Sequence, residues 1–346
     1  MKVLVLSTMM PFVHGGAEEL FNHLVRNLQT TTGVEAEGFR IPFTWDPAER
    51  LIDEMLIARR LRLCNVDRVI ALKFPAYLVP WDDKIVWLLH QYRQAYDLRD
   101  VGQGNIPGDD RGAQIVAAIR AADNAAFSEA RRIYTNAPIT ARRLLHYNDV
   151  NSRVLRPPLN DPELFVGGES GDYVLATGRV NAGSKRQHLL VRALRYSPGT
   201  RLVIAGPPDS PEDADTLRRL AAEEGVNDRL TLDLRLLWRG DLARLVNRSL
   251  AVAYLPFDED SFGYCTMEAF QASKPVLTAT DSGGVLDIVR DGETGLVVAP
   301  EPELLGDALT KLVADPASAA RLGRAGRAAI DAEELTWAAT IEKLLT

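Results

Sequence analysis

LPFDEDSFGYCTMEAFQA, residues 255–272, runs from a strand end through an acidic turn into a helix. The apolar run 250–255 ends in it and reads as a buried strand. Three carboxylates follow, Asp258, Glu259 and Asp260, then Ser261-Phe262-Gly263, then a helical stretch carrying Glu268. Strand, Gly-containing turn and helix make half of a βαβ unit with a parallel, buried strand. Ligands of open α/β sheets bind beyond the carboxyl ends of the strands. Asp260 is therefore expected at the mouth of a ligand crevice, with Glu268 about one to two turns into the helix behind it. The first turn of that helix, from Phe262 and Gly263 to Tyr264 and Cys265, has N–H groups without intrahelical partners, which suit a phosphate. The same stretch also reads as an ordinary capping loop, with Asp260 or Ser261 as the cap and Glu268 in solvent.

The pattern repeats outward in both directions. Residues 173–177, 201–205 and 275–278 read as further strands, and 185–194 and 211–224 as helices. Towards the N-terminus, residues 3–7 are an unbroken apolar run, followed by Gly15-Gly16 and a helical pattern over 17–28. Residues 68–72, 85–89 and 132–135 are further strand candidates, and 97–112, rich in Gly, Asp and Arg, is expected to be a mobile loop. Pro157-Pro158 and GGESGD (167–172) interrupt the pattern and mark a linker. The expected architecture is α/β with two doubly wound, Rossmann-like domains facing each other across a cleft. The first covers 1–165 and the second 166–330, and the last helix, within 331–346, packs back on the first domain. A cleft between two such domains is a usual place for a ligand.

Composition narrows the classes. The chain has 346 residues, a formal net charge of −7 and 46% hydrophobic residues. That balance argues against a wholesale nucleic-acid binder. Cys64 and Cys265 are too few and too far apart for a disulfide framework, as in a reducing cytosol. No stretch has the character of a signal peptide or a membrane span, so a cytoplasmic protein is expected, at most peripheral on the cytoplasmic face of a membrane. Among the histidines and cysteines no metal-ligand spacing stands out, and no protein-bound metal is expected.

Four further clusters can carry chemistry. In ATGRVNAGSKRQ (176–187), Arg179 and Lys185 flank a strand–loop–helix junction, where two cations can neutralise a diphosphate. Arg186 adds a third cation with no assigned role. Gly15 and Gly16 let a backbone approach a ligand closely. His90 ends the strand 85–90 and is either a cleft residue or a hydrogen-bonded structural histidine. The last cluster comprises Lys274-Pro275-Val276, Gly283-Gly284 with Asp287, and the turn Asp291-Gly292-Glu293-Thr294-Gly295.

These motifs, in this order, resemble the retaining glycosyltransferases of family four, which have the GT-B fold. Asp260, seven intervening residues and Glu268 are similar to that family's Glu-x7-Glu motif, with Asp at the first position. The resemblance implies that Glu268 binds the nucleotide ribose and that Asp260 contacts the transferred sugar. Glu259, beside Asp260, is the competing candidate. It also implies that backbone N–H groups from Phe262 to Cys265 hold the diphosphate and that Arg179 and Lys185 stabilise the leaving group. Gly15 and Gly16 would face the donor phosphates and the acceptor, and His90 would lie near the reacting sugar. No cofactor or metal is implied. The donor is a nucleoside-diphosphate sugar, with UDP taken ahead of GDP, and the acceptor a glycan, glycolipid or lipid-linked precursor. Transfer of a hexose-type sugar with retention, by front-face attack, follows from the resemblance. A nucleotide-sugar epimerase of the same architecture and a non-catalytic nucleotide-sugar binder are the alternatives. Residues 49–63 mix apolar residues and arginines at helical spacing and would suit a surface of anionic lipid, while Arg131, Arg132, Arg142 and Arg143 add a basic local surface that would suit a lipid-diphosphate acceptor. A helix packed on the first sheet is the competing reading.

Overall fold

The structure is a computed structural model that describes residues 1–168 and 171–346. Glu169 and Ser170 of the expected linker lie outside the described residues. The chain divides into two compact units, one of residues 1–158 and 336–346, the other of residues 159–335.

In chain order the first unit contains β1 (Lys2–Met9), α1 (Gly16–Gln29), β2 (Glu35–Pro42), α2 (Leu51–Arg60), β3 (Arg68–Ala71), β4 (Lys84–Leu88), α3 (Asp97–Asp100), α4 (Asp110–Ser128), β5 (Arg132–Thr135), α5 (Pro138–Asn148) and β6 (Arg153–Val154). All neighbours pair parallel, in the order β2-β1-β3-β4-β5-β6. Alternate residues of the central strands go to opposite faces, as strand geometry requires. Val5, Ile70 and Trp87 pack with Leu20 and Leu24 of α1, while Leu6, Val69 and Val86 pack with Leu51, Met55 and Ile119 of α2 and α4. A helix layer therefore covers each face of the sheet. Residues 97–112 are not a continuous loop. They hold α3 and the start of α4, where the Asp109 carboxylate caps the helix by accepting from the Gly112 N–H at 2.8 Å.

The second unit contains β7 (Tyr173–Thr177), α6 (Gln187–Ala193), β8 (Arg201–Ala205), α7 (Pro211–Glu223), β9 (Leu230–Asp233), α8 (Arg239–Arg248), β10 (Ala251–Ala253), α9 (Tyr264–Gln271), β11 (Val276–Ala279), β12 (Gly295–Val298), α10 (Pro302–Ala314) and α11 (Pro316–Asp331). Its parallel order is β12-β11-β10-β7-β8-β9. The chain runs outward from β7 to β9, then returns to the other side of β7 as β10. The strand order thus reverses between β7 and β10, the switch point beside which such sheets bind ligands. Helix α6 begins at Gln187, two residues later than the sequence suggests. Arg186 has φ +55°, a left-handed conformation that keeps Lys185 and Arg186 in the preceding turn.

The closing helix α12 (Trp337–Leu345) belongs to the first unit. Ile341 and Leu344 enter the same core as α1. Its last carbonyls are capped from the sheet: the Tyr134 hydroxyl donates to the Lys343 oxygen at 3.0 Å, and Arg68 donates to the Leu344 oxygen at 3.0 Å.

Candidate active site at the carboxyl edge of the second sheet

Two loops flank the switch point. One runs from β7 to α6 and carries Arg179 and Lys185. The other runs from β10 to α9 and carries Asp258, Glu259 and Asp260. They are joined by the Phe257 N–H, which donates to the Ser184 oxygen at 2.9 Å. Lys185 is ion-paired with the Glu259 carboxylate and donates to the Tyr254 hydroxyl at 3.1 Å. That hydroxyl in turn donates to Glu259 at 2.8 Å. Burial holds the Tyr254 phenol well above its ordinary pKa, and the neighbouring Glu259 charge adds to this, so it stays a neutral donor. Arg179 pairs with both oxygens of Asp209, at 2.8 and 2.9 Å. Each of the two predicted cations is therefore held by a carboxylate that an incoming anion could displace.

Arg186, unassigned from the sequence, is a clamp. It donates to the Leu255 and Pro256 carbonyls at 2.9 Å each and to both oxygens of Asp281 at 2.8 and 2.7 Å. The fork of a guanidinium is what lets one side chain tie β10's exit to the loop after β11. The two loops then run against each other. Glu259 bridges Gly283, and the Gly284 N–H donates to the Glu259 oxygen at 2.7 Å. At Gly283 (φ +64°) a Cβ would lie 2.5 Å from the Glu259 oxygen, and at Gly284 it would lie 2.9 Å from the Ser261 Cα. The Gly-Gly pair thus permits backbone to touch backbone beneath Glu259 and Asp260. Asp260 itself is buried, not an exposed cap.

Gly263 (φ +75°) precedes α9, and a Cβ there would strike the Tyr254 ring at 2.6 Å. The first N–H groups of α9 follow at Tyr264 and Cys265. The Cys265 thiol donates to the Thr177 carbonyl at 3.4 Å, and burial pushes its pKa up to about 12, so it is no thiolate nucleophile at neutral pH. Glu268, the fifth residue of α9, is 3% exposed and ion-paired with Arg239 at the start of α8. The solvated-cap reading of Glu268 is thereby corrected: a carboxylate this buried needs a partner, and Arg239 is it. Lys274 is buried, reaching the Gly168 carbonyl at 3.4 Å, and the Thr294 hydroxyl ties the turn 290–295 by accepting from the Arg290 N–H at 2.8 Å.

In the first unit, Gly15 is the N-cap of α1 and Gly16 its first residue. His90 follows β4, with Nδ1 2.7 Å from the Gln91 carbonyl oxygen. The loops that leave β2, β3 and β4 carry aromatic residues the sequence reading passed over. Phe43, Phe74 and Tyr92 pack mutually at ring separations of 5.1–6.2 Å, and Trp45 joins Phe43 at 6.4 Å. Trp45 is 40% exposed, and its carbonyl accepts from the Asn105 amide at 3.0 Å. Helix α2 is packed through Leu51, Met55 and Ala58, and its Arg59 pairs with Glu129; Leu56 and Ile57 face solvent. Arg131 pairs with Asp83 and Arg143 with Asp97, at 3.2 Å each. No helix is long and apolar enough to cross a membrane, and no group of three or more His, Cys, Asp or Glu could hold a metal ion, both among the described residues.

Residues 167–329 match the family model described as glycosyl transferases group 1. The matched residues span most of the second unit. The chain also resembles curated proteins. D-inositol 3-phosphate glycosyltransferase of Mycolicibacterium paratuberculosis is 34% identical over 236 residues, 63% of this chain and 52% of that protein. Alpha-maltose-1-phosphate synthase of Mycobacterium tuberculosis is 33% identical over 184 residues, 49% and 45% of the two chains. The chain thus spans about half the length of these relatives. Among solved structures, sucrose-phosphate synthase from Thermosynechococcus elongatus superposes with a TM-score of 0.79 at 18% identity, covering 99% of this chain and 97% of the other. HepE of Anabaena in complex with UDP gives 0.72 at 17%, covering 100% and 98%. At such identities the likeness is one of fold. The fold is GT-B.

Proposed function

We propose that this chain is a retaining glycosyltransferase that moves a hexose-type sugar from a nucleoside-diphosphate sugar to an acceptor hydroxyl. The observation that carries the reading is the convergence on one switch point of Arg179, Lys185, the acidic loop 258–260 and the start of α9. The family match to the second unit supports the same reading. In it, the donor diphosphate takes over Arg179 and Lys185 from Asp209 and Glu259 and meets the first N–H groups of α9. Glu268 accepts from the ribose hydroxyls, and Asp260 contacts the transferred sugar. As the C1–O bond to phosphate breaks, the electron pair stays on the phosphate, whose charge these cations and N–H groups stabilise. The acceptor oxygen attacks the same face of C1 and gives its proton to the departing phosphate. Those groups do the work of a metal, so none is required. Glu259, engaged with Lys185 and Tyr254, is the cation's counter-ion.

UDP is favoured over GDP, since a protein of the same fold is described in complex with UDP. A glycan or lipid-linked acceptor on the first unit is supported by the partly exposed Trp45, because aromatic faces suit sugar rings. Gly15, Gly16 and His90 follow β1 and β4 at the carboxyl edge of the first sheet. Exposed Leu56 and Ile57 on α2 support peripheral contact with a membrane bearing such an acceptor. Two variants test the assignment. Glu268→Ala should weaken nucleoside-diphosphate binding, and Asp260→Ala should keep nucleotide binding while losing transfer. Normal transfer by Asp260→Ala would shift the sugar contact to Glu259.

A further inference from the structure

Helix α8 is stapled to the segment with which the second unit begins. At its far end the Asn247 amide donates to the Leu164 carbonyl at 2.8 Å and accepts from the Gly167 N–H at 3.0 Å. At its near end stands Arg239. One arm of its guanidinium is paired with Glu268 of α9. The other donates to the Asn160 carbonyl at 2.6 Å, and the guanidinium lies 4.6 Å from the centre of the buried Phe165 ring. One side chain thus touches the α9 carboxylate and both ends of residues 160–165.

Asp161 has φ +46°, unusual for a residue with a side chain. The Asn160 amide oxygen is buried without a hydrogen-bond partner. So is the Arg239 Nε–H, which lies 3.6 Å from the Asp161 carboxylate, beyond hydrogen-bond reach. Unsatisfied polar atoms and a positive φ together mark a segment that a new contact at Glu268 can release.

We propose that Arg239 is a positioning residue that holds the Glu268 carboxylate in place, and that it couples donor occupancy at Glu268 to the segment Asn160–Phe165. This rests on Glu268 being the ribose ligand. A carboxylate accepts up to about four hydrogen bonds, so a guanidinium and a ribose diol can share it. Hydroxyls arriving at Glu268 draw on the charge that Arg239 also reads, and the guanidinium's grip on Asn160 changes with them. Lysine at this position keeps the charge but lacks the fork that spans both partners.

The test is a binding cycle with Arg239→Lys, Glu268→Gln and the double variant, titrated with UDP, GDP and inorganic diphosphate. Each single variant should lose roughly tenfold in affinity for the nucleoside diphosphate, the scale of one hydrogen bond to a charged group. The double variant should lose no more than the larger single loss, and inorganic diphosphate should bind all four proteins alike, which also reports that they fold. Amide exchange over 159–165 should change at least twofold, roughly, when nucleotide is added to the wild type and should not change in Arg239→Lys. Wild-type binding by Arg239→Lys beside an impaired Glu268→Gln, or losses that multiply, would overturn the coupling. Wild-type binding by Glu268→Gln would instead overturn the donor reading beneath it.

Discussion

Replacing Gly283 by alanine sets a new methyl group against the Asp258–Glu259 backbone, which cannot step aside. The ideal Cβ lies 2.5 Å from the Glu259 oxygen and 2.7 Å from both the Glu259 nitrogen and the Asp258 carbonyl carbon. None of these atoms belongs to a side chain that could swing away. The backbone at Gly283, φ +64° and ψ −128°, is itself glycine territory. Holding alanine in such a conformation costs about 1–3 kcal/mol, and overpacking a tight site adds about 1–3 kcal/mol. The expected loss for the second unit is therefore about 2–6 kcal/mol, the sum of these two ranges. Gly225→Ala separates the two causes. Gly225 also has a positive φ, +67°, but no atom lies within 4 Å of its Cβ, so it reports conformational strain alone. Urea denaturation of both variants, with nucleoside-diphosphate titration of the folded proteins, measures the contact contribution. Gly283→Ala should unfold at lower urea than Gly225→Ala and bind nucleotide more weakly, since the displaced backbone carries Glu259 and Asp260. If the two variants lose equal stability, close packing of the two loops is not what demands glycine at 283.

Two further outcomes follow from buried charges. Asp123 is fully buried between the Tyr77 and Tyr96 hydroxyls, at 2.9 and 2.8 Å. Burial pushes its pKa up to about 7, against the pull of the two hydroxyls that hydrogen-bond its charged form. Its folded pKa exceeds the unfolded one, so its contribution to stability is fully present below about pH 4 and is lost as pH rises through about 7. Thermal denaturation of Asp123→Asn from pH 4 to 8 should show the wild type losing stability relative to the variant as pH rises, and a constant difference would contradict this. Arg186→Met should cost about 2–4 kcal/mol, less than the ~3–5 kcal/mol of a fully buried ion pair because solvent reaches Asp281. Urea denaturation checks the loss, and inorganic-diphosphate titration should show weakened binding as the loop holding Lys185 loosens. Unchanged stability would deny Arg186 its role as a clamp.

The eight strands legible in the sequence, β1, β3, β4, β5, β7, β8, β10 and β11, are all interior to their sheets. The four that went unread, β2, β6, β9 and β12, are the four sheet edges. Interior parallel strands are buried on both faces and show as continuous apolar runs. An edge strand such as β2, EAEGFRIP, is half exposed and mixes charges into its pattern. The same logic governs the site. Lys185 and the Asp258–Asp260 run stand out because charge beside a strand end is conspicuous. Tyr254 passes as the tail of an apolar run, and Arg239 and Asp209 sit among many surface charges. The roles of Arg239 and Asp209 depend on partners 29 and 79 residues away and 30 residues away, respectively, and no local pattern announces those. Arg186 was visible as a cation, but only its left-handed backbone and its four acceptors distinguish a clamp from a ligand.

In the proposed function, the carboxyl edge of the second sheet binds a nucleoside-diphosphate sugar without a metal. A thermal-shift panel of nucleoside diphosphates and their sugars, each with and without EDTA, puts this to the test. Selective stabilisation by one nucleotide and its sugar, unchanged by EDTA and reduced in Glu268→Ala, is the predicted result. No shift with any of them, or a shift that EDTA abolishes, would contradict it.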